Sequence, residues 1–93
     1  MKSNGKTGED SIIQFPCYFP IKIIGNNKDS FITDIKALIE PFVTLENPPE
    51  FSTKASKNQL YVSITATMYV ENQTTLDNIY RAVTQHPDIK MVL

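Results

Sequence analysis

From Gln59 to Val70 the chain alternates without a break. Leu60, Val62, Ile64, Ala66, Met68 and Val70 fall on one parity, and Tyr61, Ser63, Thr65, Thr67 and Tyr69 on the other. No helix accommodates a period of two over this length, and the β-branched and aromatic content suits a pleated strand with one dry face and one open face. Apart from the alanine, each apolar side chain of the run stabilises by roughly 1.5–3 kcal/mol when it leaves water. The strand is therefore expected to form the centre of a small core.

A chain of 93 residues, 41% of them apolar, is read as one soluble globular domain. Ordering the backbone costs about 1–2 kcal/mol per residue, so the surplus from so small a core is thin and a partner subunit would add to it. Nine Lys and Arg oppose ten Asp and Glu, which leaves no large basic field to gather phosphates. Nucleic-acid binding is disfavoured on that ground. Cys17 is the single cysteine; it is read as a buried, inert thiol in a reducing compartment. No apolar run approaches the ~20 residues of a membrane span, and the amino terminus lacks the apolar stretch of a secretory signal. The expected location is cytoplasmic, with no membrane partner.

Met1 to Asp10 carries nothing apolar after its first residue. Residues 1–14 are expected to form a disordered tail and residues 15–93 a single domain. Tyr18 to Ile24 reads as the first strand, with Phe19, Ile21 and Ile23 on one face and Pro20, Lys22 and Ile24 on the other; Pro16 and Pro20 stand near its start, where a missing amide donor matters least. Gly25-Asn26-Asn27-Lys28 is expected to break the strand with residues that tolerate left-handed backbone. Asp29 or Ser30 is expected to cap a helix whose stripe is Phe31, Ile35, Leu38, Ile39 and Phe42. Pro41 ends the regular helix near Glu40, with an irregular turn that carries Phe42 inward.

After Pro48-Pro49, the stretch Glu50 to Ala55 is a short edge strand with Lys54 as a guard against stray pairing. Ser56-Lys57-Asn58 turns the chain into the long strand. Asn72 caps a second helix with Leu76, Ile79, Tyr80 and Val83 on one stripe, and His86-Pro87 stops it. Ile89 to Leu93 is a last strand with Ile89, Met91 and Leu93 on one side.

Strand, helix, strand, strand, helix, strand is the resulting order. Two singly striped helices cover one face of a four-stranded sheet, and the right-handed crossover rule leaves an α+β, ferredoxin-like βαββαβ sandwich with an antiparallel sheet. The long strand is central there, flanked by the first strand and by the Glu50 to Ala55 strand, with the last strand at the far edge beyond the first.

The chain resembles the YbeD-like bacterial proteins of unknown function. The likeness rests on Phe15-Pro16 with Phe19-Pro20-Ile21-Lys22-Ile23-Ile24-Gly25, on Ser56-Lys57 leading into Tyr61-Val62-Ser63-Ile64-Thr65, and on Leu76 to Val83 with His86-Pro87 and Lys90-Met91-Val92-Leu93. Asn58 stands where that family usually has Gly, with one residue more before the tyrosine. The resemblance implies the ferredoxin-like fold, similar to ACT-type regulatory domains that bind small molecules at subunit interfaces and pair through their sheets. It implies no enzyme activity.

The candidate sites are few. Cys17 and His86 are the lone members of their types. As a dyad they would need hydrogen-bond reach, whereas the topology puts them on the order of 20 Å apart at opposite ends of the sheet. One Cys and one His do not make a zinc site, and His86 is read instead as favouring the carboxyl end of the second helix. Strand parity assigns Lys22, Lys54, Lys90, Tyr61, Tyr69, Ser63, Thr65 and Thr67 to the open sheet face, a candidate interaction surface. RNA-binding sheets need rings grouped on two central strands, and Tyr61 and Tyr69 stand roughly 27 Å apart on one.

The Gly25-Asn26-Asn27-Lys28 loop feeds a helix amino terminus, where free amides favour an anion. The likeness to ACT domains makes it the candidate ligand-binding loop. These features together point to a non-enzymatic regulatory or interaction module that binds a small ligand or a protein partner and self-associates. An RNA-associated module ranks second and an unrecognised enzyme third; no cofactor or metal is expected.

Overall fold

The structure, a computed structural model, describes residues 13–93. Of the expected tail, residues 1–12 lie outside the described residues, while Ile13 and Phe15 pack against the core. The elements are β1 (Cys17–Asn26), α1 (Asp29–Ile39), β2 (Glu50–Ala55), β3 (Tyr61–Val70), α2 (Gln73–Val83) and β4 (Ile89–Val92), with a 3₁₀ turn over Glu40–Phe42 after α1. The sheet order is β2-β3-β1-β4 and every neighbour is antiparallel. This is the expected ferredoxin-like arrangement, with the long strand central and β2 and β4 at the edges.

The core follows from the alternation. Ile21 and Ile23 of β1 and Val62, Ile64, Ala66, Met68 and Val70 of β3 are buried against Phe31, Ile35 and Ile39 of α1 and Leu76, Ile79 and Val83 of α2. Both helices therefore lie on one face of the sheet. The α1 helix ends where Pro41 enters, and the 3₁₀ turn closes with the Val43 amide on the Glu40 carbonyl at 3.0 Å, leaving Phe42 half-buried against the core. Asn72 caps α2 as expected, its Oδ1 accepting the Thr75 amide at 2.8 Å. No helix among the described residues is long and apolar enough to cross a membrane.

Local expectations fail at four places. β1 does not break at Gly25 but runs on to Asn26, and no glycine among the described residues has positive φ. Gly25 is needed for space: a Cβ there would collide with the Phe31 ring and would stand 2.6 Å from the Asp88 carbonyl oxygen. Although the strand is longer, α1 starts earlier than a cap at Asp29 or Ser30 would place it. Its N-cap is Lys28, with no side-chain cap, and Asp29 stands in the first turn.

In the β2–β3 hairpin, the left-handed residue is Gln59, at φ 64°. Asn58 Oδ1 accepts from Ser56 Oγ at 2.8 Å and from the Leu60 amide at 3.1 Å, while the Ser56 amide donates to the Tyr61 carbonyl at 2.9 Å. The extra residue is thereby absorbed in the turn. Leu60 consequently lies outside β3, at 60% exposure rather than on the dry face.

The last strand also departs from simple alternation. Val92 faces Ile23, Met91 faces Ile24, and Ile89 faces Gly25, with an irregularity that leaves Lys90 without a cross-strand partner. Ile89 and Val92 thus turn toward the core, and Met91 and Leu93 toward the open face. The expectation that Ile89, Met91 and Leu93 share a side is overturned by this one-residue slip, which also takes Lys90 out of the simple alternation that assigned it to the open face.

Two substitutions test these local accounts. Gly25→Ala is expected to destabilise by about 2–3 kcal/mol in urea unfolding, because Phe31 and a backbone carbonyl occupy the space; a loss below about 0.5 kcal/mol would show that the space is not required. Gln59→Gly is expected to stabilise by up to about 1 kcal/mol, since glycine adopts the left-handed conformation without the Cβ penalty.

Candidate functional site

The Gly25 to Lys28 loop is the first place the sequence directs attention, and its polar groups are engaged within the chain. Asn26 Nδ2 donates to Asp88 Oδ1 at 2.9 Å, and its amide donates to the Asp88 carbonyl at 3.0 Å. Lys28 Nζ lies 3.1 Å from the same Oδ1. Asn27 reaches the other way, its amide donating to the Leu60 carbonyl at 2.9 Å and its Nδ2 to the Gln59 carbonyl at 3.0 Å. The loop fastens the end of β1 to β4 on one side and to the β2–β3 turn on the other. Asp88 was not singled out from the sequence; only its position directly after His86-Pro87 hints at it.

The hydrogen bond from Asn26 first, then the contact with Lys28, hold the Asp88 carboxyl below its ordinary value of 3.8. His86 does not cap α2. Its Nδ1 accepts the Asp88 amide at 3.0 Å and its Nε2 meets Asp34 Oδ2 of α1 at 2.9 Å, while its ring stands edge-on to Phe31 at 5.2 Å. An acceptor at Nδ1 assigns the neutral ring proton to Nε2, where it is donated to Asp34. The helix C-cap is Thr84, whose amide bonds the Tyr80 carbonyl at 3.0 Å, so the imidazole is free to cross to α1. A groove of about 470 Å³ runs beside this bridge, between Asp34, Ala37 and Leu38 and the Gln85-His86-Pro87 turn. Cys17 pairs with Val70 at the opposite end of β1, so thiol and imidazole stand apart as the topology requires.

The open face gathers most of the other candidates, and the register fixes their neighbours. Tyr69, Thr67, Thr65, Ser63 and Tyr61 of β3 lie opposite Tyr18, Pro20, Lys22, Ile24 and Asn26 of β1. On the other side Glu50, Ser52 and Lys54 of β2 lie opposite Thr67, Thr65 and Ser63. Lys22, Lys54 and Tyr61 are exposed and Ser63, Thr65, Thr67 and Tyr69 half-buried. Lys90, in the irregular stretch of β4, is exposed at the edge.

Three further residues belong to this face. Tyr18 packs its ring edge-on to Tyr69, centroids 5.4 Å apart, and donates its hydroxyl to Asn47 Oδ1 at 3.3 Å. Its parity with Pro20 and Lys22 was the available signal. Two rings on the central strands therefore stand together, contrary to the expectation of isolated rings. Met91 and Leu93, 52% and 58% exposed, arrive by the slip in β4, which no sequence pattern announces. Among the described residues no cluster of three or more His, Cys, Asp or Glu could hold a metal ion.

The Asp88 contacts give a pH dependence with a definite sign. Since the folded carboxyl titrates below its unfolded value, the contribution is complete above the ordinary 3.8 and is lost as pH falls through the lowered value. Asp88→Asn retains an acceptor for Asn26 but removes the titration. Its thermal midpoint is expected to fall less steeply than the unaltered chain's between about pH 5 and about pH 2, and superimposable acid limbs would contradict the assignment.

Comparison with known proteins places this geometry. Residues 10–93 match the family described as protein of unknown function, DUF493. A UPF0250 protein of Nitrosomonas europaea is 32% identical over 85 residues, covering 91% of this chain and 98% of that one. A UPF0250 protein of Paraburkholderia phymatum is 38% identical over 84 residues, covering 90% and 94%. The solution structure of protein HP0495 from H. pylori matches with a TM-score of 0.74 at 26% identity, over 96% of this chain and 97% of that one. The ACT domain from the GTP pyrophosphokinase of Chlorobium tepidum matches with a TM-score of 0.62 at 15% identity, over 80% and 91%, a likeness of fold alone. With the Phe15 to Leu93 signature inside the matched range and the two-layer fold in common, the chain belongs to the DUF493 family, the UPF0250 or YbeD-like proteins.

Proposed function

We propose that this chain is a small, non-enzymatic interaction module of the cytoplasm whose open sheet face is covered by a protein partner. One observation carries the reading. The helices occupy one side of the sheet, and on the other Tyr18, Tyr61, Met91 and Leu93 are 49%, 39%, 52% and 58% exposed, Met91 and Leu93 together at the β4 edge and the two tyrosines toward opposite ends of the central strands. Exposed apolar side chains grouped as Met91 and Leu93 are, with polar neighbours, mark interaction surfaces more often than single scattered ones do. The separation of Cys17 from His86 supports the non-enzymatic part, since a nucleophile without a base in reach is weakly activated. The loop from Gly25 to Lys28 supports a ligand less well, because its side chains are already engaged with Asp88 and the hairpin. The fold likeness to an ACT domain fits a module that acts through what it binds.

An RNA-associated role is the second reading, and the Tyr18–Tyr69 pair is the observation in its favour. Those rings pack against each other and stand at the Glu50 end of the face, away from Lys22 and Lys54, so the cations and the stacking surface do not coincide.

Gel filtration of the native cell extract tests the main reading. The chain is expected to elute well above its own 10.5 kDa, and a Thr65→Arg variant, altered at the centre of the face, is expected to elute as the isolated chain while keeping its thermal midpoint. Elution at the monomer position, or a complex indifferent to Thr65→Arg, would overturn the assignment. Salt-sensitive, micromolar retention of single-stranded RNA on a filter would favour the second reading instead.

A further inference from the structure

The open face is divided by charge. Read from β2 to β4, one transverse row is Lys54, Ser63, Ile24 and Met91, and the next is Ser52, Thr65, Lys22 and Leu93, the last pair joined by both of its backbone hydrogen bonds at 3.2 and 2.8 Å. With strands ~4.8 Å apart and same-face residues ~6.7 Å apart along each strand, Lys54 and Lys22 stand diagonally roughly 12 Å from one another. Ser63 and Thr65 lie between them. A shallow hollow of about 240 Å³ opens here, with Lys22, Lys54, Ser63, Ile24 and Tyr61 in its lining. Ile24, Met91 and Leu93 continue it toward β4 as an apolar strip.

Neither lysine meets a carboxylate among the described residues, whose ion pairs are Lys28 with Asp88 and His86 with Asp34. Glu50, the acid that the register places on this face, sits opposite Thr67 toward the Tyr18 end. Along β2 it is about 13 Å from Lys54, at ~3.3 Å per residue. Among the described residues the surface thus offers two cations without a carboxylate partner, hydroxyl donors between them and an apolar strip alongside.

Resting on the reading that a protein covers this face, we propose that the occupant is an extended segment of a partner protein that sets carboxylates against Lys22 and Lys54 and an apolar side chain on Ile24, Met91 and Leu93. In an extended chain, residues i and i+4 are ~13 Å apart, which matches the diagonal between the lysines. A second copy of this chain brings Lys22 and Lys54 against a single register-placed acid, Glu50, and so leaves ammonium groups in excess where the two faces would meet. A free small acid would be poorly enclosed, since ligand pockets bury about 70–90% of what they hold and this hollow is walled by a sheet on one side.

Amide shifts of the isotope-labelled full chain test the proposal, with three probes: a short synthetic peptide bearing Glu at i and i+4 followed by Leu, its Lys-for-Glu counterpart, and succinate. The Glu peptide is expected to give saturable shifts at Lys22, Ile24, Ser63, Thr65 and Met91. Its affinity is expected to fall on the order of tenfold in a Lys22→Gln, Lys54→Gln double variant, and to weaken as salt rises. The Lys peptide is expected to give none. Absence of saturation, equal affinity for the double variant, or the same shifts from succinate alone would each overturn the proposal. So would the same shifts appearing with protein concentration alone, because they would assign the face to a second copy. A Thr65-dependent complex in the extract without peptide binding would overturn the acidic occupant and leave the covered face standing; a monomer in the extract would overturn the covered face itself.

Discussion

The β1–β3 ladder is the constraint on which the rest depends. Its pairs run unbroken from Cys17 with Val70 to Asn26 with Tyr61, so the parity of one strand dictates the parity of the other. With Ile64 turned to the helices, Ile23 must be as well, and Ser63 and Ile24 must turn away. A slip of one residue would expose the whole core and bury the tyrosines and hydroxyls, which is why a register this long is specified so firmly. The edge strands add less: β2 contributes Phe51 under Lys36, whose Nζ stands 5.1 Å from the ring centroid, and β4 is short and irregular.

The second constraint is a corner. Phe31 fills the space above Gly25, His86 stands edge-on to Phe31, and Asp88 takes the Asn26 side chain and the Lys28 ammonium. Through these contacts α1, the end of β1 and the start of β4 share one knot of packing and hydrogen bonds. The knot accounts for the glycine in an extended strand and for the histidine before the proline. Both are structural devices, and it is Asp88, with the Gln59 and Leu60 carbonyls, that engages the Asn26, Asn27 and Lys28 groups that would otherwise make the loop a ready anion site.

Much of this was legible in the sequence because it follows from period and punctuation. The alternation in β3, the stripes of α1 and α2, the stop at Pro41 and the cap at Asn72 are local signals, and the topology follows once they are ordered. What was not legible depends on residues far apart in the chain. Gly25 reads as a turn until Phe31 and Asp88 are brought to it. Ile89 reads as sharing a side with Met91 and Leu93 until the β4 register slips, and Gln59 gives no sign that it will be the residue with positive φ. Tyr18 was legible by parity with Lys22, and its pairing with Tyr69 needed only the register that the topology supplies.

For function, the consequence is a shift of attention from the loop to the face. The helical side is closed by its core, the loop is tied to Asp88 and the hairpin, and the sheet's other side leaves rings, lysines and two apolar side chains exposed to solvent. On the proposed reading this side is covered when the protein is at work. The most direct measurement is the thiol reactivity of a Thr65→Cys chain, with Cys17→Ser removing the native thiol. A covered face should give fast labelling of the isolated chain and labelling slowed by about tenfold or more in native extract, as a partner excludes reagent and water from the centre of the face. Equal rates in the two settings would contradict it.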